Sequence, residues 1–187
     1  MKADCLNGLR LSIVAGGQEL TAAKIILPGE GNLSARIDAD RFIVTPTGRD
    51  KGRLEVAELV EVEVNGHRVP ERASTEVGIH RAIYAGFRTV YAVVHAHPVK
   101  VLALAAEGAA PNPALLPNGG GILDRVSWID DFPPGSRSLA REVAKGIAQA
   151  PALVLAGHGA VTVGATVEQA VLRMIRLERL ALLTRGG

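Results

Sequence analysis

The sequence predicts a single α/β domain built around a mixed or antiparallel sheet, and three observations carry that prediction. At 187 residues, 48% of them apolar, the chain has the size and apolar content of one domain with a substantial core. Segments of helical and strand-like pattern alternate along it, as in α/β arrangements. Neighbouring strand-like runs are joined by tight-turn sequences, which close antiparallel hairpins, whereas a doubly wound parallel sheet needs long crossovers. No repeat and no linker divides the chain, so residues 1–187 are expected to form one domain.

The elements follow in order. The first twenty residues read as an amphipathic helix that stops near Gly16 and Gly17, because glycine is a poor helix former. LSARI and RFIVT are short alternating runs joined by Asp38-Ala39-Asp40, the pattern of a hairpin. ELVEVEVNG is a further alternating strand closed by Asn65-Gly66. Ser74 is placed to cap the helix STEVGIHRAIYAGF, which puts Glu76 in its first turn and His80 one turn later on the same face. The strand TVYAVVHAH is stopped by Pro98, and VLALAAEGA reads as a short buried helix. Residues 107–137 are rich in Pro and Gly, and such segments are often functional or partner-facing; Trp128 and Phe132 are its candidate interface anchors. The helix SLAREVAKGIAQA leads into the apolar run ALVLAGHGAVTVG, and TVEQ offers a capping box for a last helix.

Composition excludes several function classes. The formal net charge of +2 is small and evenly spread, and aromatic residues are 3% of the chain. Neither a phosphate-backbone footprint nor stacking platforms for single strands are present, so nucleic acid is not an expected partner. Cys5 is the only cysteine and cannot form an internal disulfide, which fits a reducing compartment. Asp4 and Arg10 interrupt any signal-peptide stretch, and no segment is apolar for long enough to span a bilayer. A soluble, cytoplasmic protein without a membrane partner is expected.

Two of the five histidines, His95 and His97, flank Ala96 in VVHAHP. In an extended segment alternate side chains share a face, so both imidazoles look the same way from a strand end. His158 sits in GHG directly after a second apolar run, where glycines on both sides let the backbone turn and present the ring. Three histidines from two strand ends fit a catalytic zinc site, which keeps three protein ligands and leaves a position for substrate. Thiolate sites are excluded by the single cysteine. Taken alone, Glu76 reads as an acidic residue serving the helix dipole, and His80 as a helix-face residue bonded to Glu76 or to backbone. GEGNLS at 29–34 and TPTG at 45–48 are either anion-holding loops or plain turns.

In their order along the chain, GNLS, TPTG, STE opening a helix, VVHAHP and GHG before a last helix, these motifs resemble the class II aldolase and adducin family over residues 29–182. The resemblance implies a three-layer α/β/α fold with a central, mainly antiparallel sheet, and a homotetramer with sites between subunits. It implies that His95, His97 and His158 bind one Zn²⁺ per subunit, and that Glu76 is the catalytic acid–base. It assigns Gly31, Asn32, Thr47, Gly48, Ser74 and Thr75 to the substrate phosphate. The implied activity is cleavage of a small ketose 1-phosphate, such as L-fuculose 1-phosphate, to dihydroxyacetone phosphate and an aldehyde. The family also implies alternatives on the same scaffold: ribulose-phosphate 4-epimerisation, methylthioribulose-1-phosphate dehydration, or a non-catalytic adducin-like interaction module. Two features depart from its aldolases. The segment after the last helix, TRGG, holds no tyrosine, and neither does the middle segment LLPNGGGILDRVSW.

Overall fold

The structure, a computed structural model, describes residues 2–116 and 123–186. The hairpin expected at 33–45 is present: strand β1 (Asn32–Arg36) pairs antiparallel with β2 (Arg41–Val44), and β2 with β3 (Val60–Glu63). The other edge of β1 receives β4 (Ala92–Ala96), again antiparallel. The apolar run 152–164 resolves into a second hairpin, β6 (Ala152–Leu155) and β7 (Gly159–Gly164), with β7 against β4. A short β5 (Ser127–Ile129) adds to β6 in the one parallel pairing among the described residues. The sheet order is β3-β2-β1-β4-β7-β6-β5.

Helices cover both faces and complete three layers. Helices α1 (Lys2–Ala22), α3 (Val99–Ala106) and α5 (Val167–Arg185) pack on one face through residues including Ile13, Leu20, Val101, Met174 and Leu177. Helices α2 (Val77–Gly86) and α4 (Arg137–Ile147) cover the other through Ile79, Ile83, Leu139 and Val143. Strand alternation divides the side chains between these layers, with Ala92 and Val94 in one and Val93 in the other.

Several local expectations need correction. Helix α1 runs through Gly16 and Gly17 to Ala22. A Cβ on Gly17 would lie 2.5 Å from the Lys51 carbonyl, and one on Gly16 3.0 Å from Val167 and Val171, so close packing here outweighs helix propensity. Helix α2 begins after Glu76, not at Ser74; the Ser74 hydroxyl accepts the Glu76 N–H at 3.3 Å. At α5 the Thr166 hydroxyl caps the Gln169 amide, but Gln169 returns to Ala165 rather than to Thr166, so the box is only half formed. In the Pro/Gly-rich stretch, Trp128 packs partly against the α1 layer and Phe132 against the other, while 117–122 lie outside the described residues. No described helix is long and apolar enough to cross a membrane.

Strand β1 is buried on both faces. Leu33 and Ala35 enter the α1 layer, while Asn32, Ser34 and Arg36 form a polar stripe beneath α2. Arg36 donates to the Val90, Tyr84 and Phe87 carbonyls at 3.0, 2.6 and 2.9 Å, holding the C-terminal end of α2. That contact fixes α2 over the sheet and carries Glu76, the cap residue just before its first turn, to the ends of β4 and β7.

Candidate functional site

His95 lies at the end of β4, His97 one residue past it, and His158 in the turn between β6 and β7. Gly157 makes that turn with φ +66°. Because β4 and β7 are neighbours, the three rings meet, with centroids 5.0 Å apart for His95 and His97, 4.9 Å for His95 and His158, and 5.5 Å for His97 and His158. Glu76 comes from the opposite layer and completes the group. Its Oε2 lies 2.9 Å from His95 Nε2, and its Oε1 2.9 Å from His158 Nε2. One potential ligand atom from each of the four residues lies within 4.8 Å of the others. The carboxylate makes no capping bond to its own helix, so a role confined to the helix N-terminus does not describe it.

The donor set fits a cation. His95 Nδ1 lies 2.9 Å from the Ala160 carbonyl, which can only accept, so that nitrogen carries the proton. In the neutral ring Nε2 is then a bare lone pair, facing carboxylate Oε2 across 2.9 Å. Two acceptors do not attract each other, and His95 Nε2 and Glu76 Oε1 are both buried without a hydrogen-bond donor. A metal ion among these atoms removes the conflict, and the carbonyl bond to the far nitrogen orients the ring as metal-binding imidazoles require. Burial, reinforced by His95, pushes His97 below the ordinary histidine value and leaves it neutral.

Two recesses open beside this cluster. The first, of about 290 Å³, is lined by all six residues expected to meet phosphate: Gly31, Asn32, Thr47, Gly48, Ser74 and Thr75. An isolated bridge between Pro46 and Ala73, and a bond from the Thr47 N–H to the Arg72 carbonyl at 3.0 Å, bring the TPTG loop beside the segment that precedes α2. The second, of about 500 Å³, is lined by His158, Gly157, Leu102 and Pro134. Thr75, Glu76 and His97 face both recesses, so the four-residue cluster stands between an anion-sized pocket and a wider opening.

Residues 12–184 match the family model described as the class II aldolase and adducin N-terminal domain. The chain belongs to the class II aldolase and adducin family. It is a metal-dependent enzyme of that family, of the lyase type. It is similar to L-fuculose-1-phosphate aldolase of Thermus thermophilus, with a TM-score of 0.86, 31% identity and coverage of 95% of this chain and 93% of that one. It is 34% identical to the 3-oxo-tetronate 4-phosphate decarboxylase of Haemophilus influenzae over 82% of this chain and 75% of the relative. It is 33% identical to the methylthioribulose-1-phosphate dehydratase of Acidiphilium cryptum over 94% of this chain and 89% of the relative. These relatives carry aldolase, decarboxylase and dehydratase names on one scaffold.

Sequence reasoning missed two features of the site. Lys51 is 1% exposed and is the one lysine or arginine lining the anion-sized recess among the described residues. Nothing in DKGR distinguishes it from a surface lysine. His80 does not bond Glu76 or backbone as expected; it bonds Ser34 and Asn32. A signal for that contact existed in the polar period of Asn32, Ser34 and Arg36 and in the i, i+4 spacing of His80 and Tyr84.

Proposed function

We propose that the protein is a zinc-dependent aldolase that cleaves a small ketose 1-phosphate, of the L-fuculose 1-phosphate type, to dihydroxyacetone phosphate and an aldehyde. The observation that carries this reading is the Glu76 carboxylate set between two imidazoles at 2.9 Å, at the mouth of an anion-sized recess. His95, His97 and His158 would hold the ion. Bound there, zinc supplies Lewis acidity toward the substrate's carbonyl. Thr47, Ser74, Thr75, Asn32 and the backbone of Gly31 and Gly48 hold the phosphate, and Lys51 supplies the counter-charge that a dianion in a closed recess requires. With the phosphate so placed, the carbonyl end of the substrate reaches Glu76 and the wider recess takes the aldehyde portion.

Glu76 is the acid–base. In the cleavage direction the C3–C4 bond breaks with its electron pair passing to C3, the C4 hydroxyl gives up its proton to solvent as the aldehyde forms, and Glu76 delivers a proton to C3; in the reverse direction Glu76 removes that C3 proton. The names of the decarboxylase and dehydratase relatives describe other outcomes of negative charge developing beside a carbonyl. An assay panel separates them: triose phosphate release from ketose 1-phosphates, against carbon dioxide release from a 3-oxo-tetronate phosphate, water loss from methylthioribulose phosphate, and epimer formation from ribulose phosphate. Triose phosphate is the expected product, and its absence with every ketose 1-phosphate overturns the aldolase reading. Purified without chelator, the protein is expected to hold one zinc per chain; metal that adding zinc cannot restore would favour a non-catalytic module. A homotetramer with sites between subunits is proposed on the family resemblance, and a stable monomer in light scattering at micromolar concentration would refute it.

A further inference from the structure

We infer that His80 is a positioning residue for the Glu76 carboxylate, acting through the Asn32 side chain in a one-way buried chain of hydrogen bonds. The inference rests on the reading of Glu76 as the acid–base. The direction of the chain follows from its carboxylate end. Asn32 Nδ2 lies 3.2 Å from Glu76 Oε2, and a carboxylate only accepts, so the amide nitrogen faces it. Asn32 Oδ1 therefore faces His80 Nε2, at 2.5 Å, and needs a proton from it. A neutral imidazole with its proton on Nε2 has a lone pair on Nδ1, which accepts the Ser34 hydroxyl at 2.6 Å. Ser34 Oγ in turn accepts the Tyr84 hydroxyl at 2.8 Å.

Every other arrangement of the neutral ring breaks one link. With the proton on His80 Nδ1, two acceptors meet at Nε2 and Asn32 Oδ1. If the carboxamide turns over to relieve that, its oxygen meets the Glu76 carboxylate instead. Asn32, Ser34, His80 and Tyr84 are all 5% exposed or less, so water cannot rescue a broken link. Burial also keeps the His80 imidazole neutral, pushed down to about 3, as the chain requires.

The chain is built to orient, not to conduct. Its far end, Tyr84, is buried with its ring 4.9 Å from Phe42 and 4.7 Å beneath the Arg36 guanidinium, and has no outlet for a proton. What it controls is the amide torsion of Asn32, which is soft in isolation. Held this way, Asn32 gives one N–H to Glu76 and keeps the other for the anion-sized recess that it lines. His80 reaches neither recess itself and acts only through that carboxamide.

The experiment reads proton exchange at C3 of dihydroxyacetone phosphate in heavy water, together with metal content. His80→Leu should slow exchange by roughly 10- to 100-fold, the scale of a small misplacement of a catalytic group, with metal content unchanged. His80→Gln offers both an amide donor and a carbonyl acceptor and should restore exchange to within a few-fold of the native rate. In an Asn32→Ala background, His80→Leu should add no more than about a twofold loss, because the residue through which it acts is gone. A full additional loss in that background, or Gln performing no better than Leu, overturns the inference. Nitrogen NMR of the native protein supplies a readout that needs neither turnover nor a variant. A bare His80 Nδ1 with a protonated Nε2 supports the chain, and the opposite tautomer or an imidazolium at neutral pH overturns it, whichever reaction the enzyme performs.

Discussion

Lowering the pH should destabilise this fold through His80 by an amount that its environment sets. The imidazole is pushed down from 6.5 to about 3, first by burial and then by His95, with the Glu76 charge opposing. The unfolded chain takes up this proton near pH 6.5, whereas the folded chain does so only near pH 3. Between those values the unfolded state binds more protons, so stability falls as pH falls and is fully present only above pH 6.5. At up to about 1.4 kcal/mol per unit, going from pH 8 to pH 5 costs about 2 kcal/mol through this one group. The perturbation is His80→Gln, which deletes the titration while keeping a donor and an acceptor. Urea unfolding of both chelated proteins from pH 8 down to pH 5 should show the native protein losing about 2 kcal/mol more than the variant. A difference that stays constant across the series would show that the fold does not hold His80 neutral, and would refute the reasoning.

Three further outcomes test other parts of the molecule. Glu76→Gln keeps size and helix position but deletes the proton acceptor, so exchange at C3 of dihydroxyacetone phosphate should fall roughly 100- to 10,000-fold while zinc is retained; undiminished exchange in zinc-loaded protein would remove Glu76 from the acid–base role. Lys51→Met keeps the buried stem and removes the charge, and should weaken inhibition by inorganic phosphate roughly 10- to 100-fold, the worth of one charged hydrogen bond; unchanged inhibition would exclude a phosphate contact. Arg36→Met leaves the Val90, Tyr84 and Phe87 carbonyls without their donor. It should cost about 3 kcal/mol, lowering Tm by roughly 6–12 °C in a calorimetric scan.

The sequence by itself determined the β1–β2 hairpin, the Thr166 cap that starts α5, and the two histidine-bearing strand ends. These follow from periods and turn residues that operate within a few positions of each other. It also determined the candidate ligands, because HxH at a strand end and GHG after an apolar run are local patterns with few alternatives in a histidine-poor chain. The start of α2 was misread because Ser74 is an ordinary cap by local rules, and its displacement comes from a carboxylate turned toward His95 and His158, residues distant in sequence. The passage of α1 through Gly16 and Gly17 likewise depends on Lys51 and α5 pressing against those glycines. Only tertiary structure decided that Asn32, Ser34 and Arg36 lie beneath α2 and not in solvent, that Lys51 lines the recess, and that His80 serves Asn32. The physical reason is that local pattern fixes which side of a strand a polar side chain takes, while what covers that side is fixed by a helix some fifty residues away. Burial then converts those ordinary polar residues into a directed set of hydrogen bonds, since each must find its partner inside the protein.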